Sequence, residues 1–583
     1  MHVSTQRRHY VGKDGRERTY ETHLLRRSYR RDGKAKNETV ANLSQLPAAT
    51  IEVIRASLAG QALVPAAAAA TVTRSLPHGH VAAVHAAARS LGLPGLLGPP
   101  GRARDLALAL VISRVIKPGS KLATTCWWAD TTLGADLGVA DASTDEVYAA
   151  MDALLKRQDT IEATLAARHL APGVNPARMA CFDLTSAWMT GTHCPLAAYG
   201  HSRDGKKGLP QIEYGLLTDP EGRPVAVRVF PGNTADPTAF VEAVEIVRTK
   251  FGLTDLVMVG DRGMITSARI EALRADTDLG WLTALRAPQV AALADEDGPL
   301  QLTLFDQVDL AEITHPDYPG ERLIACRNPL LAADRARTRS ELLAATDTVL
   351  APLQAAVREG RLAGADQIGL KVGRVVNKFK MAKHLHLTIT DTQLTVERKQ
   401  DQIDAEAALD GIYVLRTSVP ADHLDAPAVV TAYKNLANVE REFRTIKVDD
   451  LHLRPVYHRL DDRVRAHVLI AMLAAYLVWH LRRAWAPLTF TDETPPDRVN
   501  PVAPAERSDA ATAKASRQRD EHDQPVRSFR ALLDHLATLT RNDIAYGTAP
   551  DRPVVPTLAQ PTDTQRRAFD LLEVPIHVHL ATK

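Results

Sequence analysis

The chain has 583 residues, 45% hydrophobic and 24% charged, with 71 Lys and Arg against 69 Asp and Glu. That is globular composition at multidomain length, and it excludes a mostly disordered or fibrous chain. Aromatics at only 5% leave Leu, Val, Ile and Ala to build the cores. The four cysteines are scattered and none forms a CxxC pair. That argues against a zinc ribbon or disulfide framework and fits a reducing, cytoplasmic setting. The N-terminus, MHVSTQRRHYVGK, lacks the apolar core of a secretory signal. The longest apolar run, residues 468–479, is twelve residues. A membrane span takes about 20, so the run predicts a buried helix and no membrane partner.

Charge is unevenly spread. Residues 1–38 hold eleven Lys and Arg against five acids, a local +6. Such clustering is an electrostatic footprint for nucleic acid or a solvated surface sheet. Turn signals at Lys13-Asp14-Gly15 and Arg31-Asp32-Gly33 predict three short strands. These carry Tyr10, Tyr20 and Tyr29 among basic residues that include Arg26, Arg27 and Arg30. A helix is expected near residues 51–59, and Ala66–Ala70 reads as a linker or helix start. Residues 76–172 read as helical.

From about residue 177 the pattern changes. Extended segments are expected at 179–183, 211–217 and 224–230, with Asp219-Pro220-Glu221-Gly222 as a turn. A helix at 236–251, a strand at 255–261, a helix at 267–275 and a strand at 281–285 follow. A hairpin joined to alternating helices and strands signals a mixed α/β sheet. Residues 290–424 interrupt the order, with a helix at 340–358 and strand-like runs at 384–390 and 393–396. The α/β pattern resumes at residues 412–416. Residues 487–527 are rich in Pro, Asp, Arg and Ala and read as a linker, with one small helix at 528–539 in the tail.

Asp183 and Asp261 each end a short apolar run. Open α/β sheets gather ligands beyond strand ends, and converging carboxylates suit hard divalent cations. A third element runs from Tyr433 to Lys447. Leu436, Val439, Phe443 and Ile446 form an apolar stripe at helical spacing. Tyr433, Glu440 and Lys447 repeat every seven residues, and Arg444 follows Glu440 at i+4. The spacing predicts one helix with an acid, two bases and a tyrosine along one strip. Taken alone, it also describes a solvated amphipathic helix. After it, Arg454, His458, Arg463 and Arg465 form a basic strip. Lys206 and Lys207 stand in a polar loop near the first strand.

This helix resembles the signature Y-x2-R-x3-E-x6-K of DDE transposases from bacterial insertion sequences, in the branch typified by insertion sequence 4. Tyr433, Glu440 and Lys447 match in place, and Leu436 stands where the signature has Arg. The chain looks closest to the subgroup of insertion sequence 1634. Its strings Gly200-His201-Ser202-Arg203-Asp204-Gly205, Phe230-Pro231-Gly232-Asn233-Thr234 and Gly260-Asp261-Arg262-Gly263-Met264 are similar to that subgroup. So are Asp410-Gly411-Ile412-Tyr413 and Leu453-Arg454-Pro455-Val456-Tyr457-His458.

The resemblance implies an α/β fold with an RNase H-like catalytic core and a large, partly β insertion before the Glu helix. N-terminal basic and helical regions precede that core. It implies Asp183, Asp261 and Glu440 as catalytic and metal-binding residues, for two Mg²⁺ ions with Mn²⁺ as substitute. Tyr433, Arg444, Lys447, Arg454, His458, Lys206 and Lys207 become candidate DNA contacts, with Arg26, Arg27 and Arg30 in the N-terminal module. The partners expected are double-stranded DNA, as inverted repeats and target, and a second copy of the chain in a synaptic dimer. A nuclease that does not transpose and a DNA-binding protein without catalysis are the alternatives.

Overall fold

The computed structural model describes all residues except 12–16, 32, 62–69, 172, 176–177, 192, 277–278, 296–297, 306–307, 498–499, 548–551 and 582–583. The expected turn at residues 13–15, the Asp32 of the next turn and most of the Ala66–Ala70 run lie outside the described residues. The chain divides into two units: residues 1–76 with 540–559, and residues 77–539 with 560–583.

In the first unit, β1 (His2–Val11), β2 (Glu17–Arg31) and β3 (Lys34–Asn42) form an antiparallel meander. The strands are longer than their turn signals suggest, because ladder pairing continues through polar positions that the sequence pattern leaves unmarked. Tyr10 and Tyr20 are more than half exposed, and Arg27 and Arg30 face solvent. The helix Ala48–Leu58 buries Ile51. β4 (Ala70–Pro77) joins a second small sheet with β15 (Thr540–Tyr546) and β16 (Val554–Leu558), in the order β16-β15-β4. Residues far apart in sequence thus complete this unit.

The second unit opens with helices where they are expected, including Gly79–Ser90, Arg102–Ile116, Thr144–Leu155 and Gln158–His169. Ser143 starts one of them with a reciprocal cap: its Oγ accepts from the Glu146 N–H while Glu146 accepts from the Ser143 N–H. The apolar run falls in the helix Asp461–Ala484, which buries every residue from Ala466 to Val478. It packs on Arg102–Ile116, Thr144–Leu155 and β7 (Pro224–Pro231). Its apolar surface is therefore enclosed by protein.

One eight-stranded mixed sheet runs in the order β10-β11-β14-β9-β8-β5-β6-β7. Its strands are β5 (Met179–Trp188), β6 (Gln211–Thr218), β7, β8 (Val257–Gly260), β9 (Gly280–Ala284), β10 (Leu310–Ile313), β11 (Arg322–Arg327) and β14 (Ile412–Thr417). β5, β8 and β9 run parallel, while β6, β7, β10, β11 and β14 add antiparallel. The sheet is consistent with an RNase H-like core.

Four expectations need correction. β5 does not end at Asp183 but continues to Trp188, because β6 keeps pairing after β8 has stopped. The interruption at 290–424 is not a single insert, since β10 and β11 extend the main sheet through β14. Between them lie the helices Pro329–Arg358, Ala365–Phe379 and Gln400–Ala408 with a hairpin, β12 (Leu385–Ile389) and β13 (Leu394–Arg398). That stretch is mainly helical and has its own core around Leu350, Ile368 and Val372. Tyr433 and Lys447 do not share one helix. Ala426–Lys434 ends at Asn435, Leu436–Arg444 follows, and Thr445–Asp449 is a wide π-type turn. Finally, the expected linker holds the helix Asp509–Arg517, capped by Ser508. Lys514 ties it down by donating to the Ala486 and Thr491 carbonyls at 3.0 and 2.8 Å and to Glu493 at 2.9 Å. Polar bonds do there what large apolar side chains do elsewhere, so composition hides the packing.

Candidate active site

The parallel pairing of β5 with β8 closes at Phe182 opposite Gly260. Asp183 and Asp261 are the next residues on the two strands. Neighbouring strands lie about 4.8 Å apart, so this register sets the two carboxylates side by side at the end of β8. The Asp261 turn is compact: its carbonyl accepts from Met264 N at 3.0 Å and its Oδ1 from Arg262 N at 2.7 Å. Gly263 follows in the same turn, and a Cβ there would stand 3.4 Å from Asp236 Oδ2 and 3.7 Å from Asp261 Oδ2, so the turn packs close to both carboxylates.

Glu440 arrives on the helix Leu436–Arg444. Val439 and Phe443 are buried beneath it, and Phe443 meets Tyr214 of β6 edge-on at 5.5 Å. The β6–β7 turn braces the same helix. Asn438 Nδ2 donates to Pro220 O at 3.0 Å, and Gly222, at φ +87°, leaves no room for a Cβ against Asn438. Glu440 itself faces solvent.

Electrostatics ties these positions together. Burial pushes the Asp183 carboxyl up to about 7; the Leu184 N–H and Arg203 oppose the rise, while Asp261 and Glu440 add to it. Tyr433 is pushed up first by burial and then by the negative field of Asp261, Asp183 and Glu440, against Arg262. The three carboxylates therefore lie within reach of one another's field. They do not close into a ligating cluster: among the described residues no three His, Cys, Asp or Glu take metal-holding geometry.

Two family descriptions match the chain. Residues 177–477 match the transposase DDE domain, and residues 11–68 match the N-terminal domain of IS1634 family transposases. The chain belongs to the IS1634 family of DDE transposases. No match among curated proteins was found. As a member of a phosphoryl-transfer family it is a DNA-binding enzyme of DNA transposition. DDE transposases use divalent metal ions, and three carboxylates are the oxygen donors such an ion takes, though here they stand apart and not as a closed ligand set. Carboxylate oxygens suit hard cations, and a cation would relieve the repulsion that Asp183 feels from Asp261 and Glu440.

The other candidate residues of the transposase separate into two groups. Arg444, Lys206, Lys207, Arg27 and Arg30 are exposed, and Arg26 is half-buried. Lys447, Arg454 and His458 are engaged inside the protein. Lys447 Nζ donates to Thr185 Oγ1 at 2.5 Å and to Asp204 Oδ1 at 2.9 Å. Arg454 pairs with the same Asp204 carboxylate, whose side chain is only 2% exposed. Arg463 pairs with Asp152 at 3.3 Å, and Arg465 donates to Val229 O at 2.9 Å. The residues that sequence reasoning left unassigned are Arg203, Asp204 and Asp236. Arg203 pairs with Asp236 and lies 3.8 Å from the buried Glu213. Its signal was present in the string from Gly200 to Gly205, whose two charged residues face opposite duties.

Proposed function

We propose that this transposase binds the inverted-repeat ends of its insertion sequence, cuts them in a metal-dependent reaction and joins them to target DNA by a cut-and-paste route. Asp183, Asp261 and Glu440 are the catalytic acids and hold two Mg²⁺ ions, with Mn²⁺ as substitute. The observation that carries the reading is the β5–β8 register, which ends just before Asp183 and Asp261, with Glu440 on a helix braced by the β6–β7 turn; the raised Asp183 carboxyl agrees with it. When bound, such ions activate the attacking oxygen and neutralise charge that develops on the phosphate.

The chain's own residues place and hold the parts. β5 and the Asp261 turn fix two carboxylates on a rigid sheet, and the braced helix brings the third. In cleavage a water oxygen bonds to phosphorus as the P–O3′ bond breaks, freeing a 3′-hydroxyl. In joining, that hydroxyl bonds to a target phosphorus and displaces a target 3′-oxygen. Arg444, Lys206 and Lys207 supply exposed positive charge for phosphates, which positions DNA without reading sequence. Residues 1–75 serve as the end-binding module and 76–172 as a helical domain. Residues 173–289 and 425–486 supply most of the core, joined by β10, β11 and β14 from the 290–424 stretch, whose helices and hairpin between β11 and β14 form a subdomain, and 487–583 are the tail. A homodimer in the nucleoid-associated cytoplasm brings two ends together.

Asp183→Ala, Asp261→Ala and Glu440→Ala are each expected to lower Mg²⁺-dependent nicking of an end-bearing duplex by at least about 100-fold, the scale for losing one charge-stabilising group. Binding of that duplex should stay near wild type. Full cleavage by any one variant removes that residue from the assignment.

A further inference from the structure

A cavity of about 320 Å³ opens between the helix ends around Arg114 and Lys121 and the segment of residues 452–458. Its wall is built of basic side chains. Arg114 and Lys121 are each 5% exposed and His467 is 7% exposed. Lys121 Nζ meets His467 Nδ1 at 3.4 Å. Arg114 donates to the carbonyls of Leu451 and Gly119 at 3.3 and 3.2 Å. The His458 ring stands 4.9 Å from that of His467.

Among the described residues, no acid acts on this group. Burial lowers Arg114 to about 10 and Lys121 well below its ordinary value, with Arg114 a second cause for Lys121. Burial lowers His458 to about 3, and Lys121, Arg114 and Arg463 push the same way. Burial also lowers His467, again with Lys121 and Arg114 behind it and only a bond with the Leu453 backbone opposing. Packing alone is served by an uncharged side chain of similar volume. Four basic side chains line one cavity whose wall, among the described residues, holds no carboxylate, so an anion entering it would meet donors and would restore the charge that burial suppresses. The helix Lys121–Ala129 adds to this, since its N-terminus, with Gly119 and the cap Ser120, opens on the same cavity.

We propose that this cavity is a phosphate-binding pocket. It deepens the DNA-handling reading given above by naming a place where a phosphate is held away from the three acids. The pocket is coupled to them through the chain. Arg454 at its mouth pairs with Asp204, Asp204 holds Lys447, and Lys447 holds Thr185, two residues beyond Asp183 on β5. A backbone or terminal phosphate of DNA and free inorganic phosphate share the required chemistry.

The test uses the full chain. Inorganic phosphate is titrated at constant ionic strength against chloride, with the melting temperature and the ³¹P line width as readouts. Duplex affinity is then measured by fluorescence anisotropy with and without phosphate. Wild type should show a saturable rise in melting temperature. Lys121→Met should weaken phosphate binding at least about tenfold without lowering the melting temperature in chloride, because it removes a buried amine that no carboxylate among the described residues neutralises. His458→Asn, at the half-buried mouth, gives a second reading with less demand on the core. Competition between phosphate and duplex assigns the pocket to DNA, and saturable phosphate binding without competition assigns it to the free ion. No phosphate effect beyond chloride, with unchanged duplex affinity in both variants, overturns the proposal. Mg²⁺-dependent nicking by the same wild-type preparation reports separately on the cleavage reading.

Discussion

Lys447 shows how one residue can satisfy a spacing and still take a different place. Seven residues after Glu440, it belongs on the same strip of a regular helix. The π-type turn at Thr445–Asp449 and the acid Asp204 draw it inward instead, to 10% side-chain exposure. Burial lowers its pKa, and Asp204 partly restores it. The clamp joins the Glu440-bearing segment to β5 through Thr185. Lys447→Ala strands a buried carboxylate with Arg454 as its remaining partner and is expected to cost about 2–3 kcal/mol of stability, somewhat less than a fully broken buried pair. Urea denaturation measures it, and the double variant Lys447→Met with Asp204→Leu should recover part of the loss. Wild-type stability with a higher DNA requirement for cutting would instead show a lysine that leaves the clamp to grip phosphate.

At the scale of elements, the basic meander β1–β3 makes a measurable claim. Its arginines stand on strands where alternate side chains share a face, and Arg26 and Arg30 lie on one such face by their even spacing. If they contact phosphates, binding releases counterions and becomes salt-dependent. The triple variant Arg26→Ala, Arg27→Ala, Arg30→Ala is expected to weaken duplex binding and to flatten the log–log salt slope by about 2–3, at roughly 0.9 for each lost contact. Anisotropy at several salt concentrations measures the slope; an unchanged slope moves the DNA footprint to another element. Most elements in the core could be read beforehand because periodicity and turn chemistry agreed. The 236–251 helix is there, though its last turn widens at Ile246–Lys250. The break at Asn435 could not be read, because the seven-residue spacing from Tyr433 to Glu440 runs across it unchanged.

Across the whole molecule, buried histidines set a pH limit. On the helix Gly79–Ser90, burial lowers His80 to about 3, with His78 as a second cause. His85 is lowered to about 4, by burial and then Arg89, with Asp136 opposing. A folded pKa below the ordinary 6.5 means that the native state binds fewer protons than the unfolded chain. The stability is therefore present above about pH 6.5 and is lost as pH falls towards those lowered values. His80 alone should cost about 2 kcal/mol between pH 7.5 and pH 5. Buried acids such as Asp183 and Glu442, pushed up to about 7 and 8, shift stability the other way over this range, so the test compares wild type with His80→Gln: the change in denaturant midpoint between the two pH values should differ by this amount, and equal changes in the two proteins would refute the argument.

What the sequence determined by itself was local and chemical. The hydrophobic alternation around β5 to β9, the turn at residues 219–222, the acids at Asp183 and Asp261 and the stripe beneath Glu440 all follow from short-range period and residue type. Tertiary structure alone decided which strand outlasts its neighbour, and so put Asp183 within a strand beside Asp261. It also drew β10 and β11 into the main sheet, and brought β15 and β16 back to β4. Strand order, the partner of a buried charge and the lining of a cavity depend on residues hundreds of positions apart. Arg114 and Lys121 face His458 and His467 only because the helix Asp461–Ala484 runs through the core and fixes both walls.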